Sequence, residues 1–183
     1  HNDRSYMVSI CGLGGCGKSS LAVKFSEILR GEYPGGILFV SAENQFTLDK
    51  SFKKLAHLFQ ISYDMSAILL KLAHIEAQWL MIVDNLDEAE LGDDVLDLLT
   101  GSWKDQSKCH MLITTRRSEQ EITEKLMMPE LECLNLHCMS EEDSVKFLEA
   151  RTKQVRNSAM EDLCNELGYL PLALEQAGAY MAT

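Results

Sequence analysis

Proline and basic residues are scarce in this 183-residue chain: it has 3 prolines, and 17 lysines and arginines stand against 28 aspartates and glutamates, a formal net charge of −11. So few prolines exclude a Pro-rich linker, and no low-complexity stretch interrupts the sequence. The deficit of positive charge argues against nucleic acid as a general partner, because phosphate backbones call for clustered Lys and Arg. A single nucleotide is not excluded, since it needs only a few local cations. No apolar run approaches the roughly 18–20 residues that span a bilayer, and no secretory signal is visible. The six cysteines form no C-x-x-C pair. Cys133, His137 and Cys138 bring three ligand-type residues together, but their spacing is wrong for a zinc finger. If 131–136 is a strand, they read more simply as core and strand-end residues. Reduced thiols in a cytoplasmic protein are the expectation. At 46% hydrophobic residues the chain can bury the core of one domain, or of one domain and part of another. It opens on a strand a few residues from its first residue, which suggests an excised piece.

What is present begins with Gly12-Leu-Gly-Gly-Cys-Gly-Lys18-Ser19, which satisfies G-x-x-x-x-G-K-[ST], the phosphate-binding loop. Tyr6–Cys11 before it reads as a short buried strand. Ser19 to Arg30 after it places Leu21, Ala22, Phe25, Ile28 and Leu29 at helical spacing. Glycines let backbone N–H groups curl round a phosphate, and the helix N-terminus adds partial positive charge. In that setting Lys18 reaches the β- and γ-phosphates as a point charge, and the Ser19 hydroxyl ligates Mg²⁺. An ordinary Gly-rich turn before a helix is the bland alternative, and the strand–loop–helix order speaks against it.

Further along, Gly31–Gly36 breaks the chain and Ile37–Val40 reads as a second strand. Thr47 or Asp49 is expected to cap a helix reaching about Gln60, and a shorter helix is expected over Met65–Gln78; His57 and His74 in this region read as structural or solvated. Trp79-Leu-Met-Ile-Val83 is a continuous apolar run, as in a parallel strand covered on both faces. It delivers Asp84 to a strand's C-terminal edge, where such an acid holds Mg²⁺ in phosphate-loop proteins, usually through water. Alone, Asp84 is a weak signal; with the glycine loop it is a strong one. The acidic segment that follows reads as a solvated helix face packed inward through Leu91, Val95, Leu98 and Leu99. Trp103 reads as a packing residue in a loop. Cys109–Ile113 is another buried strand, ending in Thr114-Thr-Arg116-Arg117. These arginines are either a γ-phosphate sensor or a surface pair, and the residues alone leave both open. Glu119–Met127 is expected as a helix and Leu131–Leu136 as a last strand. From Ser140 only helices are expected: one begun by a near capping box with Asp143 at its fourth position, a second over Ser158–Leu167, and a third, Leu172–Met181, begun by Pro171. A composition shift near 138 divides a nucleotide-binding α/β domain, 1–138, from a helical subdomain, 139–183.

Four segments together resemble one family: Gly12–Ser19, Trp79-Leu-Met-Ile-Val-Asp-Asn85, Leu112-Ile-Thr-Thr-Arg116 and Leu167-Gly-Tyr-Leu-Pro-Leu-Ala-Leu174. In this order they look like the NB-ARC module of signal-transduction ATPases with numerous domains (STAND), the NOD-like receptors and apoptotic ATPases, in their fungal or bacterial versions. The resemblance implies an α/β fold with a parallel five-stranded sheet ordered 5-1-4-3-2, flanking helices and a small helical subdomain. It implies ATP or ADP with Mg²⁺ as ligands, bound by Gly12, Gly14, Gly15, Cys16, Gly17, Lys18, Ser19 and Ser20. Asp84 matches the Mg²⁺-associated acid and Arg116 the γ-phosphate sensor. Pro171, with Leu172 beside it, matches the proline that packs against adenine. The implied role is a signalling switch in which slow hydrolysis and nucleotide exchange control conformation and oligomerisation. Its partners would be effector and sensor or repeat domains outside this segment, with neither nucleic acid nor membrane.

One departure stands out. Many family members carry a second acid directly after the first, as base for the attacking water, and here that position is Asn85. Asn85 can orient water but cannot accept its proton; Asp87 or Glu88 would have to substitute, or hydrolysis is slow. The competing classes are a turnover enzyme and a module without nucleotide. A small-molecule kinase needs an acceptor pocket and an arginine-bearing lid, and a GTPase needs N-K-x-D, none of which can be found. Intact Lys18, Ser19 and Asp84 argue against lost binding.

Overall fold

The computed structural model describes residues 6–87, 92–101 and 108–182, with backbone alone at 93–95 and 97. Glu88, Leu91 and Trp103, and the side chain of Val95, therefore lie outside the described residues. The described chain forms two compact units. One runs to Cys11 and resumes from Ser19 to Asn135. The other joins the glycine loop, Gly12–Lys18, to the chain from Leu136 onward.

The first unit is a five-stranded parallel sheet of β1 (Tyr6–Cys11), β2 (Ile37–Ser41), β3 (Trp79–Asp84), β4 (Cys109–Thr115) and β5 (Glu132–Asn135). Its order is β2-β3-β4-β1-β5, the order implied by the family resemblance, read from the other edge. The uninterrupted apolar composition of β3 follows from its place between β2 and β4, and all six of its residues are buried. β5 is an edge strand, and three of its four residues are exposed. Helices α1 (Lys18–Ile28), α2 (Gln45–Phe59), α3 (Met65–Ala73), α4 (Asp93–Thr100) and α5 (Glu119–Lys125) make the crossovers, with a 3-10 turn at Arg30–Glu32. The core joins Val40, Trp79, Met81, Val83 and Ile113 of the sheet to Phe52, Ile68, Leu72, Leu98, Leu99 and Ile122 of the helices.

Three local details differ from expectation. The helix-initiating residue of α2 is Asn44, whose side chain accepts from the Thr47 N–H while the Thr47 hydroxyl accepts from the Asn44 N–H; Thr47 is the far half of a capping box. α3 stops at Ala73 rather than near Gln78, and the Gln78 carbonyl instead accepts from the Gly35 N–H as the chain enters β3. In α1 only Ala22 of the expected apolar stripe is fully buried, while Ile28 is 69% exposed.

The second unit packs α6 (Glu141–Thr152), α7 (Ser158–Glu166) and α8 (Pro171–Met181) around Val145, Leu148, Met160, Cys164 and Leu174. Ser140 initiates α6 by accepting from the Asp143 N–H, and its hydroxyl donates to the Asp143 carboxylate, so the reciprocal half of a capping box is absent. Gly178 is buried against Arg151, where a Cβ would lie 2.7 Å from Cγ. The Arg151 guanidinium meanwhile bonds Glu175 at 2.9 Å, tying α6 to α8. Among the described residues no helix is long and apolar enough to cross a membrane.

Candidate functional site

The glycine loop belongs to the second unit and is shaped by it. Gly12 approaches Leu136 so closely that a Cβ would lie 2.3 Å from the Leu136 carbonyl oxygen. Gly15 takes φ +80, and a Cβ there would meet the Leu172 Cβ at 3.0 Å. Its carbonyl accepts the Leu172 N–H at 3.1 Å. That bond satisfies one of the N-terminal amides of α8 that has no partner within the helix, next to Pro171, which has no N–H to give. Pro171 occupies the first turn of α8 as expected, but the residue that bonds the loop is Leu172. Cys16 is buried, whereas Gly14 and Ser20 are exposed.

Lys18 is 6% exposed, and its ammonium donates to the Gly12 and Leu13 carbonyls at 2.8 Å each, with Cys16 Sγ 4.0 Å away. A buried lysine must have its donors satisfied. Here the loop's own carbonyls do this, so the cation folds back into the curl of backbone that the sequence assigns to phosphate.

The first unit carries the acids and hydroxyls. Pairing of β3 with β4 puts their C-terminal ends side by side, so Asp84 comes to lie beside Thr114. Asp84 is 7% exposed, and its Oδ1 accepts two hydroxyls: Ser19 Oγ at 2.7 Å and Thr114 Oγ1 at 2.6 Å. Ser19 and Asp84, paired by the sequence as Mg²⁺ ligands, are thus brought together. A hydroxyl and a carboxylate oxygen are the hard ligand types that Mg²⁺ takes, directly or through water, so the chemistry of the pair suits that ion.

Thr114 also accepts the Asn85 N–H at 2.9 Å, so one hydroxyl holds the Asp84 carboxylate and the Asn85 backbone together. Asn85 sits at φ +61, a left-handed conformation that asparagine tolerates better than most residues. Thr114 was missed as a positioning residue in the sequence reading. The available signal was a hydroxyl residue at the C-terminal end of a buried strand neighbouring the one that ends in Asp84.

Arg116 is anchored rather than loose. Its backbone N–H donates to Asp87 Oδ1 and its Nε–H to Asp87 Oδ2, both at 2.6 Å. Thr115 Oγ1 lies 2.7 Å from the Leu86 carbonyl and 3.2 Å from Asp87 Oδ1, and Arg117 Nη2 donates to the Asp87 carbonyl at 2.9 Å. Burial pushes the Asp87 carboxyl up, but the hydrogen bonds and charge of Arg116, with the Thr115 hydroxyl, hold it below the usual carboxylate range. A lowered carboxyl pKa, with both oxygens already accepting, makes Asp87 a weaker proton acceptor than a free carboxylate.

Comparison with known proteins adds family and fold. The family model described as "NB-ARC domain" matches residues 1–158, ending before Pro171. A nucleotide-binding leucine-rich repeat (NLR)-like protein of the fungus Hyaloscypha variabilis is 25% identical over 95% of the chain, which spans only 19% of that relative's length. A signal transduction ATPase with numerous domains, carrying a tetratricopeptide repeat sensor, from Pyrococcus horikoshii superposes with TM-score 0.55 at 19% identity, over 94% of this chain and 27% of that one. A RuvB variant of Thermotoga maritima gives TM-score 0.61 at 13% identity, over 95% of this chain and 53% of that one. A Drosophila ORC chain, in a structure bound to DNA, gives TM-score 0.61 at 17% identity, over 98% and 50%. All three solved structures share the fold alone with this chain.

Proposed function

This chain belongs to the NB-ARC domain family, and we propose that within it the chain works as an adenine-nucleotide switch, binding ADP or ATP with Mg²⁺ and reporting which of them is bound. The observation that carries the reading is the pair Ser19 Oγ and Asp84 Oδ1, 2.7 Å apart and 65 residues apart in sequence. The pair brings a hydroxyl next to the glycine loop in sequence together with a buried carboxylate, and these two oxygen ligands would hold Mg²⁺, directly or through water.

In this reading Gly12, Gly14, Gly15, Cys16 and Gly17 present backbone N–H groups to the phosphates, and Lys18 leaves its carbonyl acceptors to pair with them. Ser19 and Asp84 hold Mg²⁺, which would neutralise phosphate charge when bound. Ser20 continues the first turn of the helix beneath the phosphates. Arg116 distinguishes a γ-phosphate from its absence, and Pro171 with Leu172 flanks the adenine. Asn85 orients water without deprotonating it, so turnover is slow and the bound nucleotide persists, as a switch requires. The helical part, 139–183, responds to nucleotide identity. Conformation and assembly of the whole cytoplasmic protein, with its effector and repeat domains, follow from it.

The nucleotide content of the purified chain tests this reading. Denaturation followed by ion-exchange chromatography is expected to release ADP or ATP in near-stoichiometric amount, with no guanine nucleotide. Protein that carries no nucleotide and takes up neither ADP nor ATP when supplied with Mg²⁺ would overturn the reading.

A further inference from the structure

Asp87 takes part in none of the roles assigned above, yet it has more hydrogen-bond donors aimed at it than Asp84. Its carboxylate accepts the backbone N–H and the Nε–H of Arg116, one on each oxygen, and lies within 3.2 Å of the Thr115 hydroxyl. Its own carbonyl accepts from Arg117. The side chain is 13% exposed, whereas that of Arg116 is 65% exposed. A carboxylate in a fork–fork pair takes two of the five side-chain N–H donors, at least one of them on a terminal amino group. Here one of the two donors is the peptide N–H of the same residue, so the carboxylate grips arginine by its backbone and by the inner edge of its guanidinium. Among the described residues, both terminal amino groups of Arg116, Nη1 and Nη2, are left unbonded.

We infer that Asp87 is the positioning residue for Arg116, holding its guanidinium by Nε and leaving the two Nη groups available to a terminal phosphate. The inference rests on the reading that Arg116 distinguishes ATP from ADP. Its physical content is preorganisation: Asp87 removes rotamer freedom from a long side chain before the ligand arrives, so the loss does not fall on binding. A flexible arginine would feel the extra charge of a triphosphate but would discriminate weakly. One whose guanidinium is held through Nε by a largely buried carboxylate meets a γ-phosphate oxygen or misses it. An opposite role, with Asp87 sequestering Arg116 from the nucleotide, predicts the opposite sign.

The test is calorimetric titration of the purified chain with ADP and with a non-hydrolysable ATP analogue, both with Mg²⁺, for wild type, Arg116→Ala, Asp87→Asn, Asp87→Glu and the Arg116→Ala/Asp87→Asn double variant. We expect Arg116→Ala and Asp87→Asn each to lower the triphosphate-to-diphosphate affinity ratio roughly tenfold with ADP affinity unchanged, the scale of one charge-assisted hydrogen bond. The double variant should be no worse than Arg116→Ala, and Asp87→Glu, which keeps the carboxylate, should recover part of the ratio. If Arg116→Ala leaves the ratio unchanged, the reading of Arg116 fails, and the role given to Asp87 fails with it. If Arg116→Ala lowers the ratio but Asp87→Asn leaves it alone or raises it, the inference about Asp87 alone is overturned. A loss of ADP binding in Asp87→Asn would place Asp87 in the service of the fold and would likewise overturn it.

Discussion

The amide of Leu172 donates to the carbonyl of Gly15 at 3.1 Å, joining residues 157 positions apart in sequence. The bond uses a helix-terminal N–H that has no partner within α8, and the contact leaves no room for a side chain at position 15, where φ is +80. The phosphate-loop pattern leaves position 15 unspecified; here it is glycine, on account of the helical segment. Gly15→Ala is therefore expected to lower stability by about 1–2 kcal/mol, from left-handed strain together with the contact to Leu172. Thermal unfolding checks this, and an unchanged melting temperature would show that the loop can relax away from α8.

Thr114 bridges Asp84 and the Asn85 amide. Thr114→Val keeps the shape, removes the hydroxyl, leaves the Asn85 N–H without its acceptor and deprives Asp84 Oδ1 of one of its two donors. The expected cost is about 1–3 kcal/mol in denaturant unfolding. Mg²⁺-dependent nucleotide affinity should fall with it, whereas affinity measured in EDTA should not.

Asn85→Asp places an acid where the family resemblance implies a base for the attacking water. The left-handed backbone at this position accepts either residue, so folding should be little changed. Phosphate release from ATP should accelerate by at least roughly tenfold, since a positioned general base contributes about 10²–10⁴. Turnover unchanged from wild type would mean that the missing base is not what limits hydrolysis.

The Asp87–Arg116 pair sets a pH dependence whose sign is fixed. The carboxyl is held below its ordinary value by Arg116 and Thr115 despite burial. Its contribution to stability is therefore fully present above the ordinary carboxylate range and is lost as pH falls through the lowered value. The stability difference between wild type and Asp87→Asn should be constant from pH 8 to 5 and shrink below about pH 4. Urea titrations at several pH values read it directly.

Much of this was legible in the sequence, for reasons that differ from element to element. Trp79–Asp84 could be read because a strand buried on both faces has no choice but to be apolar throughout, and Asp84 then marks its end. The glycine loop could be read because its chemistry fixes its spacing. What could not be read depends on pairings that no local pattern encodes. Asp87 resembles any residue of an acidic run until β4 brings Thr115, Arg116 and Arg117 around it. The apolar residues of α1 had the right period, but Ile28 is exposed, because periodicity shows that a face exists and not what covers it. The start of α2 moved to Asn44 because Thr47, a plausible cap by type, serves as that cap's partner.

Binding of nucleotide through Lys18 is the claim on which the rest depends, and titration calorimetry of the wild-type chain and Lys18→Ala with ADP and with Mg²⁺–ATP tests it most directly. The account predicts saturable one-to-one binding of both nucleotides to wild type and a loss of at least roughly tenfold in affinity on removing the ammonium. Wild-type protein that binds neither nucleotide, or a Lys18→Ala chain that binds both as tightly as wild type, would contradict it.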